Sequence, residues 1–315
     1  MRIVITGALG HIGSKLIRTL PNCFPNAEIV MIDSLLTQRY CSLFNLPVNH
    51  AYSFIEGDVT KIDLVPVLNG ADFVIHLAAI TNAENSFNHP GEVEENNFNA
   101  TSKIANACII TKSKLITISS TSVYGSQKKV VDETCIGDDL KPQSPYATTK
   151  INEESLIQNM CSENDLKAVI CRFGTIYGAS NGMRFHTAIN KFCWQATMGT
   201  DITVWKTAYE QVRPYLDLND AATAISFIIK NDIFNGEIYN ILSQNLTVKE
   251  VLSSISEFIP NLKISFVDSP IMNQLSYHVL SEKFSSLGFK FEGNLRQGIG
   301  ETLSLLKNSN TFYHS

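Results

Sequence analysis

The sequence predicts an α/β fold: a doubly wound parallel sheet with a smaller C-terminal lobe. Apolar strands alternate with helical segments in the first half of the chain, which is the pattern of a parallel sheet covered by helices. The first strand enters a helix through regularly spaced glycines, and beyond Phe173 the alternation loosens. A chain of 315 residues can bury one large α/β unit or two unequal lobes.

The opening stretch reads as a strand, a tight turn and a helix. Arg2 to Thr6 contains β-branched residues, Gly7, Gly10 and Gly13 follow at three-residue spacing, and apolar residues then recur at helical spacing. Glycines at a helix N-terminus leave free N–H groups at the positive end of the dipole, with no Cβ to keep a pyrophosphate away. We therefore predict a Rossmann-type dinucleotide site. The alternative is a glycine-rich turn such as can precede any helix.

The second strand, over 28–32, ends at Asp33. This carboxylate lies twenty residues beyond Gly13, where a dinucleotide fold places the acid that binds the adenosine ribose and repels a 2′-phosphate. The spacing therefore favours NAD as the cofactor. The alternatives are an aspartate that only opens a turn and, because Arg39 lies nearby, NADP.

The third and fourth strands continue the pattern. A strand over 52–56 leads into Asp58, which is expected to face the adenine, and Val59, which is also expected to bind the cofactor. The segment 71–79 is a buried strand that ends in alanines, and small side chains there allow the cofactor to lie against the backbone. His76 within it is interpreted as a packed core histidine rather than a ligand.

The remaining elements follow from the same alternation. A helix over 92–110 carries Asn96, Asn97 and Asn99; asparagine is a poor helix former, so one of them is expected to hydrogen-bond at the site. The other predicted elements are a strand over 115–119, a helix over 145–160, a strand over 168–172 and a helix over 220–230. We predict a dinucleotide-binding domain over 1–173, completed by about 211–241, and a substrate-binding lobe formed by 174–210 and 242–315.

Composition excludes several classes of partner. The net charge is -5 without a long basic block, so neither nucleic acid nor an anionic membrane is expected as a partner. No apolar run approaches the roughly 18 residues of a membrane span, and the polar residues in the opening stretch argue against a signal peptide.

The seven cysteines are scattered without a C-x-x-C pair. This predicts reduced thiols in a cytoplasmic protein and no metal site.

Three residues predict the chemistry. Tyr146 and Lys150 are four residues apart, so on a helix they share a face. A phenol titrates near about 10, and an adjacent ammonium together with the positive nicotinamide favours its ionised form. Ser120, at a strand end, can then fix the substrate oxygen whose proton the tyrosine exchanges while hydride moves to or from the nicotinamide. A Tyr-x-x-x-Lys motif alone also occurs by chance as an exposed pair on a helix. Here the motif follows both the glycine motif and Ser120 in the chain, and this combination predicts alcohol–ketone interconversion.

Over essentially its whole length the chain resembles the extended short-chain dehydrogenases/reductases, in the branch of NAD-dependent nucleotide-sugar epimerases and dehydratases. The resemblance implies that Tyr146 is the acid/base, that Lys150 is its electrostatic partner and ribose anchor, and that Ser120 aligns the sugar. The motifs that carry it are Thr6-Gly-x-x-Gly-x-x-Gly13, Asp33, Gly57-Asp58-Val59, His76-Leu-Ala-Ala79, Ser119-Ser-Thr-Ser-Val-Tyr-Gly125, Tyr146-x-x-x-Lys150, Arg172-Phe-Gly-Thr-Ile-Tyr-Gly178 and Arg213-Pro-Tyr-Leu-Asp217.

The same resemblance implies ligand contacts and an assembly. Arg213 is expected to clamp the nucleotide diphosphate, which suits a guanidinium; the alternative is a surface arginine paired with Asp217 or Asp220. Relatives dimerise through the two helices that here begin near Glu92 and Pro145, so a homodimer is expected. The residues implied to line NAD are His11, Ile12, Leu77, Ala78, Ala79, Thr81 and Asn96.

Departures from the family pattern bear on the reaction. Family 4,6-dehydratases carry an acidic pair after the hydroxyl residue, whereas this chain has Thr121 and Ser122 there, so epimerisation at C4 is expected. Thr175 replaces the Asn of UDP-galactose-type epimerases, and Arg184 belongs to an unusual stretch; both are expected to contact the substrate. The alternative functions are a net C4 dehydrogenase or reductase of a nucleotide sugar and a non-catalytic dinucleotide sensor. The intact Tyr146 argues against the sensor.

Overall fold

The computed structural model describes residues 1–81, 90–125, 129–268, 276–307 and 309. Its strands are β1 Arg2–Thr6, β2 Glu28–Asp33, β3 Ala51–Glu56, β4 Phe73–His76, β5 Lys114–Ser120, β6 Val130–Val131, β7 Ala168–Phe173, β8 Thr175–Tyr177, β9 Ile202–Trp205, β10 Val212–Asp217, β11 Ile238–Ile241, β12 Gln244–Thr247, β13 Ile264–Val267 and β14 His278–Val279. Its α-helices are α1 His11–Cys23, α2 Leu64–Leu68, α3 Pro90–Thr111, α4 Pro145–Glu163, α5 Ala188–Thr197, α6 Leu218–Lys230, α7 Val248–Ser256, α8 Glu282–Ser285 and α9 Leu295–Leu306.

The main sheet has the strand order β11-β7-β5-β4-β1-β2-β3, and every pair in it is parallel. The strand order reverses between β1 and β4, so the connections leave these two neighbours in opposite directions. Such a reversal opens a crevice at the carboxyl ends of the two strands, where α/β sheets bind ligands. The predicted fold class, a doubly wound Rossmann-type sheet, is confirmed.

Helices cover both faces of this sheet. Alternate residues of β1 point to opposite sides: Ile3 and Ile5 join the core that includes Leu16 of α1 and Ile225 of α6. Val4 joins the core on the other face, together with residues of α3 and α4. Because both faces are buried, the strands are nearly continuous runs of apolar residues, which explains why they are readable from the sequence.

A separate core lies under the later segments. Its members include Tyr177 of β8, Cys193 of α5, Val251 of α7 and Ile299 of α9. β8 pairs with β10 and β10 pairs with β12, while β9 pairs with β13. The chain returns to the main sheet between these segments through β11. The exact division into two lobes therefore stays a prediction.

The helix α4 begins where the sequence predicts. Ser144 caps it by accepting a hydrogen bond from the N–H of Ala147 at 3.2 Å, and Pro145 occupies the first turn, where its missing N–H is tolerated. α4 packs against α3, against β5 and against the short 3-10 helix over Thr121–Val123. Within the described ranges, no helix combines the length and hydrophobicity needed to cross a membrane.

Candidate active site

The glycine turn after β1 has the shape of a phosphate cradle. Gly7 has φ +64°, and a Cβ there would lie 2.7 Å from the backbone nitrogen of Ala78. A Cβ on Gly13 would lie 2.5 Å from the carbonyl oxygen of Gly7. Gly10 precedes α1 without a side-chain cap. The N-terminus of α1 is therefore free to bind an anion, and glycine is required for the close packing around it.

A cleft at the carboxyl ends of β1 to β4 collects most of the predicted cofactor residues. It is lined by residues that follow all four strands and by residues of α1 and α3. The residues from the predicted set that line this cleft are Gly7, Gly10, His11, Ile12, Gly13, Asp33, Asp58, Val59, Leu77, Ala78, Ala79, Thr81, Asn96 and Arg184.

Asp33 is fixed at the cleft by the backbone. Its Oδ2 accepts a hydrogen bond from the N–H of Leu9, and its Oδ1 accepts one from the N–H of Leu35, both at 3.0 Å. Arg39 also lines the cleft, and burial lowers its pKa while Asp33 opposes that effect. A carboxylate held in this position can still accept hydrogen bonds from ribose hydroxyls, because each oxygen has a second lone pair.

The segment after β4 is positioned by Thr6 and His76. The Oγ1 of Thr6 lies 2.7 Å from Nδ1 of His76 and accepts hydrogen bonds from the N–H groups of Leu77 and Ala78, both at 3.2 Å. Burial, and then the charge of Lys150, lower the pKa of His76 to about 3, so its ring is neutral at physiological pH. His76 therefore supports the cleft from inside the core.

Asparagines from α3 contribute in different ways. Asn97 is buried and clamps the backbone of Ile80, accepting from its N–H at 2.8 Å and donating to its carbonyl at 2.9 Å. Asn96 lines the cleft and donates to Asn97, whereas Asn99 is exposed. The clamp by Asn97 was not predicted individually; the only sequence signal is the cluster of asparagines.

The segment 178–184 closes against the N-terminus of α1. Nε2 of His11 lies 2.8 Å from the carbonyl oxygen of Gly178, and burial lowers the pKa of His11 to about 4 although this contact opposes the shift. The N–H of Gly182 donates to the hydroxyl of Ser14 at 2.9 Å, and a Cβ on Gly182 would lie 2.1 Å from the carbonyl oxygen of Leu9. Gly182 is therefore required for this contact.

Arg184 is carried into the cleft by that segment. Its Nη1 hydrogen-bonds to Oγ1 of Thr81, while its buried Nε has no hydrogen-bond partner among the described residues. Burial lowers the pKa of Arg184, and the nearby Tyr146 opposes that effect. Arg184 therefore lies between the cofactor cleft and Tyr146, with donor capacity remaining.

The three predicted catalytic residues lie on neighbouring elements outside the lining of that cleft. Ser120 ends β5, and its Oγ accepts a hydrogen bond from the N–H of Ser122 at 3.1 Å. Tyr146 and Lys150 lie on successive turns of α4, with the Lys150 Nζ 5.8 Å from the centre of the Tyr146 ring. Because α4 packs on β5 and on the following 3-10 helix, the hydroxyl, phenol and ammonium occupy one region at the carboxyl edge of the sheet.

Two adjacent acids on α4 pair with buried bases that sequence reasoning did not connect. Glu153 Oε2 accepts from Lys150 Nζ at 2.8 Å. Glu154 accepts from Arg172 through both oxygens, at 2.8 and 2.6 Å. The Lys150–Glu153 pair could be predicted from the sequence, because residues three apart on a helix are neighbours. The Arg172–Glu154 pair could not, because Arg172 lies on β7, far from α4 in the sequence.

The predicted substrate residues Arg213 and Thr175 are not among the residues that line the cleft. The Arg213 guanidinium lies 5.4 Å from the centre of the Tyr277 ring and donates to Gln211 at 2.9 Å. The Tyr277 hydroxyl donates to the carbonyl oxygen of Thr121 at 3.2 Å, which links Arg213 to the segment after Ser120. β8 begins at Thr175, which pairs with Tyr215 of β10, two residues after Arg213.

Other residues of the unusual stretch are divided between core and surface. Phe192 is buried, whereas Trp194 is partly exposed and contacts the Phe185 ring at 5.4 Å between ring centres. The His186 residue is exposed to solvent. Partial burial of its ring, and then the charge of Arg184, lower its pKa to about 4. Among the described residues, no three His, Cys, Asp or Glu side chains are grouped as metal ligands.

Comparison with known proteins places these features in a family. The model of the "NAD dependent epimerase/dehydratase family" matches residues 3–241. A trifunctional UDP-glucose 4,6-dehydratase, UDP-4-keto-6-deoxy-D-glucose 3,5-epimerase and UDP-4-keto-L-rhamnose reductase from Arabidopsis thaliana is 30% identical over 96% of this chain. The match covers 46% of that relative, so the chain spans about half its length.

Two further similarities cover nearly complete proteins. A dTDP-D-glucose 4,6-dehydratase from Bos taurus is 29% identical over 96% of this chain and 87% of its own length. The structure of a UDP-glucuronic acid 4-epimerase from Bacillus cereus, in complex with UDP-glucuronic acid and NAD, superposes with a TM-score of 0.88 at 25% identity. That superposition covers 98% of this chain and 100% of the epimerase. Both epimerases and dehydratases are therefore similar to this chain.

Proposed function

Because this chain belongs to the NAD dependent epimerase/dehydratase family, as its motifs predict, we propose that it is an NAD-dependent epimerase acting at C4 of a nucleotide sugar. One observation carries the choice of epimerase over dehydratase. Ser120, Tyr146 and Lys150 are all present, while the two residues after Ser120 are Thr121 and Ser122 rather than acids.

The cleft fits NAD. The first turn of α1 and the glycine cradle suit the pyrophosphate. The fixed carboxylate of Asp33 suits the ribose hydroxyls and repels a 2′-phosphate, so it favours NAD over NADP. Asp58, proposed to face the adenine, and Val59 line the cleft, and so do Ala78 and Ala79, whose small side chains allow the cofactor to lie against the backbone. NAD held there would supply reversible hydride transfer at the sugar carbon.

The protein's own residues move the proton. The Tyr146 phenolate takes the proton of the C4 hydroxyl and later gives it back. The Lys150 ammonium, with its Nζ 5.8 Å from the centre of the Tyr146 ring, stabilises negative charge on the phenol oxygen during the proton exchange. The Ser120 hydroxyl holds the sugar oxygen beside Tyr146. The sugar must turn between the two transfers, so the site has to bind the nucleotide firmly and the sugar loosely.

Dehydration would need a further acid and base at C5 and C6, and the positions after Ser120 do not supply them. Thr121 is buried and donates to the carbonyl oxygen of Phe173 at 3.2 Å. The Ser122 hydroxyl oxygen is buried without a hydrogen-bond partner among the described residues. It can therefore hydrogen-bond the sugar, but a hydroxyl is far weaker than a carboxylate as an acid or base at neutral pH.

Substrate binding is assigned by position. Arg213 is proposed to bind the nucleotide diphosphate, for which a guanidinium provides two parallel donors. Thr175 and Arg184 are proposed to contact the sugar; Arg184 has a buried Nε that is free to donate to a ligand. We also propose a homodimer formed through α3 and α4, which pack side by side. A monomeric mass in solution would contradict the dimer.

The test uses purified full-length protein, catalytic NAD and a panel of nucleotide sugars that includes UDP-glucose, UDP-glucuronic acid and dTDP-glucose. Product NMR is expected to show inversion at C4, without accumulation of reduced nicotinamide in the absorbance spectrum. A 4-keto-6-deoxy product would identify a dehydratase and overturn the proposal. Reduced cofactor accumulating in proportion to substrate would identify a net dehydrogenase and overturn it equally.

A further inference from the structure

Glu153 is a buried carboxylate whose contacts are directed at Lys150. Lys150 Nζ donates to Glu153 Oε2 at 2.8 Å, and the Thr101 hydroxyl donates to the same oxygen at 3.0 Å. Lys150 is 5% exposed and Glu153 is 3% exposed. The other carboxylate oxygen, Oε1, is buried without a hydrogen-bond partner among the described residues. Glu153 is therefore not part of a fully satisfied structural network.

We infer that Glu153 is a positioning residue for the proposed reaction: it keeps the Lys150 ammonium charged and fixed beside Tyr146. The inference rests on the proposed function, because the charge of Lys150 affects catalysis only where Tyr146 exchanges a proton. A buried ammonium is destabilised by its loss of hydration, and a carboxylate in contact with it offsets that loss. A neutral Lys150 would no longer stabilise negative charge on the Tyr146 oxygen during the proton exchange.

The other charged groups near Lys150 do not replace Glu153. His76 faces Lys150 from β4, and its ring is neutral because burial lowers its pKa to about 3. Glu154 also acts on Lys150, but both of its oxygens bind Arg172 from β7. Arg184 adds positive charge on the side of Tyr146. Glu153 is thus the carboxylate in direct contact with the lysine.

The direction of the effect follows from the same contacts. Burial lowers the pKa of Lys150, but the charges of Glu153, Tyr146 and Glu154 together raise it above its ordinary value, and Glu153 adds its hydrogen bond to its charge. Without the Glu153 carboxylate, its charge and its hydrogen bond no longer oppose burial, so the pKa of Lys150 would fall. Lysine loses its charge as pH rises through its pKa, and the loss of activity is therefore expected on the alkaline side.

The test compares Glu153→Gln with Glu163→Gln, which removes an exposed carboxylate from the same helix. The pH profile of kcat/KM is measured for each variant. In Glu153→Gln the alkaline limb is expected to move down by at least about one pH unit, so that activity there falls roughly tenfold, while activity at low pH is retained. Glu163→Gln is expected to match the wild type.

A second readout does not depend on turnover. The Lys150 side chain is titrated by NMR of the apo-protein with carbon-labelled lysine, and its signal is identified by its loss in Lys150→Met. The Lys150 titration is expected to move to lower pH in Glu153→Gln. An unchanged titration would overturn the inference, as would an activity loss by the same factor at every pH.

A conservative variant guards against misfolding. Glu153→Asp keeps the negative charge but places it farther from the Nζ of Lys150. The alkaline limb of its kcat/KM profile is therefore expected to move to lower pH, but by less than that of Glu153→Gln. If Glu153→Gln does not fold, Glu153→Asp decides: a wild-type profile and titration overturn the inference. If the wild type epimerises no nucleotide sugar, the proposed function fails, whereas the NMR titration still decides whether Glu153 maintains the lysine charge.

Discussion

The two buried ion pairs on α4 use adjacent glutamates, yet they differ in how completely their polar atoms are satisfied. Arg172 and Glu154 form a bidentate pair, and Arg172 Nη1 also donates to the Tyr124 hydroxyl at 2.7 Å. Lys150 and Glu153 share one short contact, and Oε1 of Glu153 has no partner among the described residues. Arg172 also lies over the Tyr124 ring, 4.9 Å from its centre.

The geometry of the two ion pairs suggests a different role for each. A planar guanidinium matched to a carboxylate gives a rigid link, and here it joins β7 to α4 inside the protein. An ammonium has rotatable donors, so Lys150 can bind Glu153 and still offer a proton to a ligand. The closed pair is suited to stability and the open pair to catalysis. The following predictions test that contrast, from the largest expected effect to the smallest.

Tyr146→Phe is expected to separate catalysis from stability most strongly. Removing the phenol removes the proton-transfer group, so kcat should fall by about 10² to 10⁴. The ring remains and Tyr146 is only partly buried, so the free energy of unfolding should change little. Product NMR and urea unfolding measure the two effects. Tyr209→Phe, a partly exposed tyrosine of the other core, is the control; wild-type turnover in Tyr146→Phe would contradict the assigned role.

Arg172→Met should show the opposite behaviour. It leaves the buried Glu154 carboxylate unpaired, which is expected to lower the free energy of unfolding by about 3 to 5 kcal/mol. The folded fraction should lose no activity on the alkaline side, because the Lys150–Glu153 pair is intact and the released charge of Glu154 also favours the charged lysine. Urea unfolding measures the loss, and adding Glu154→Gln should recover part of it. A shifted pH profile with little loss of stability would reverse the roles given to the two pairs.

The sequence identifies most of the residues that line the cleft after β1 to β4, because the requirements of that cleft are local. Gly7 and Gly13 are needed for close backbone packing within one turn, and Asp33 follows at the spacing that the fold fixes. The strand and helix bounds were predicted to within a few residues: the helix expected over 92–110 is α3, Pro90–Thr111. Such features depend on residues that are close in the sequence, so the spacing of glycines and of apolar residues predicts them.

The sequence predicts long-range contacts poorly. Gly182 packs on the turn before α1, about 170 residues away, and no periodic pattern records that approach. Nothing in the local sequence predicts that Glu153 and Glu154 are buried, but α4 buries them between α3 and the sheet. Asn97 was visible only as a member of a group. In each case the role depends on which partner the fold brings near.

The smallest expected effect tests the environment of the lysine through His76, which faces Lys150. Burial, and then the charge of Lys150, lower the pKa of His76 to about 3, below the value of 6.5 expected when it is exposed. The unfolded chain therefore takes up a proton that the native state excludes. This contribution to stability is present above about pH 6.5 and is lost as pH falls toward about 3.

His76→Asn removes that proton and keeps a side chain able to hydrogen-bond to Thr6. Between about pH 5.5 and about pH 4.5, the free energy of unfolding of the wild type should fall by about 1.4 kcal/mol more than that of the variant. Urea unfolding at several pH values measures both slopes. Equal slopes would mean that His76 is protonated in the native state, and the region around Lys150 would then hold another positive charge that a single carboxylate must offset.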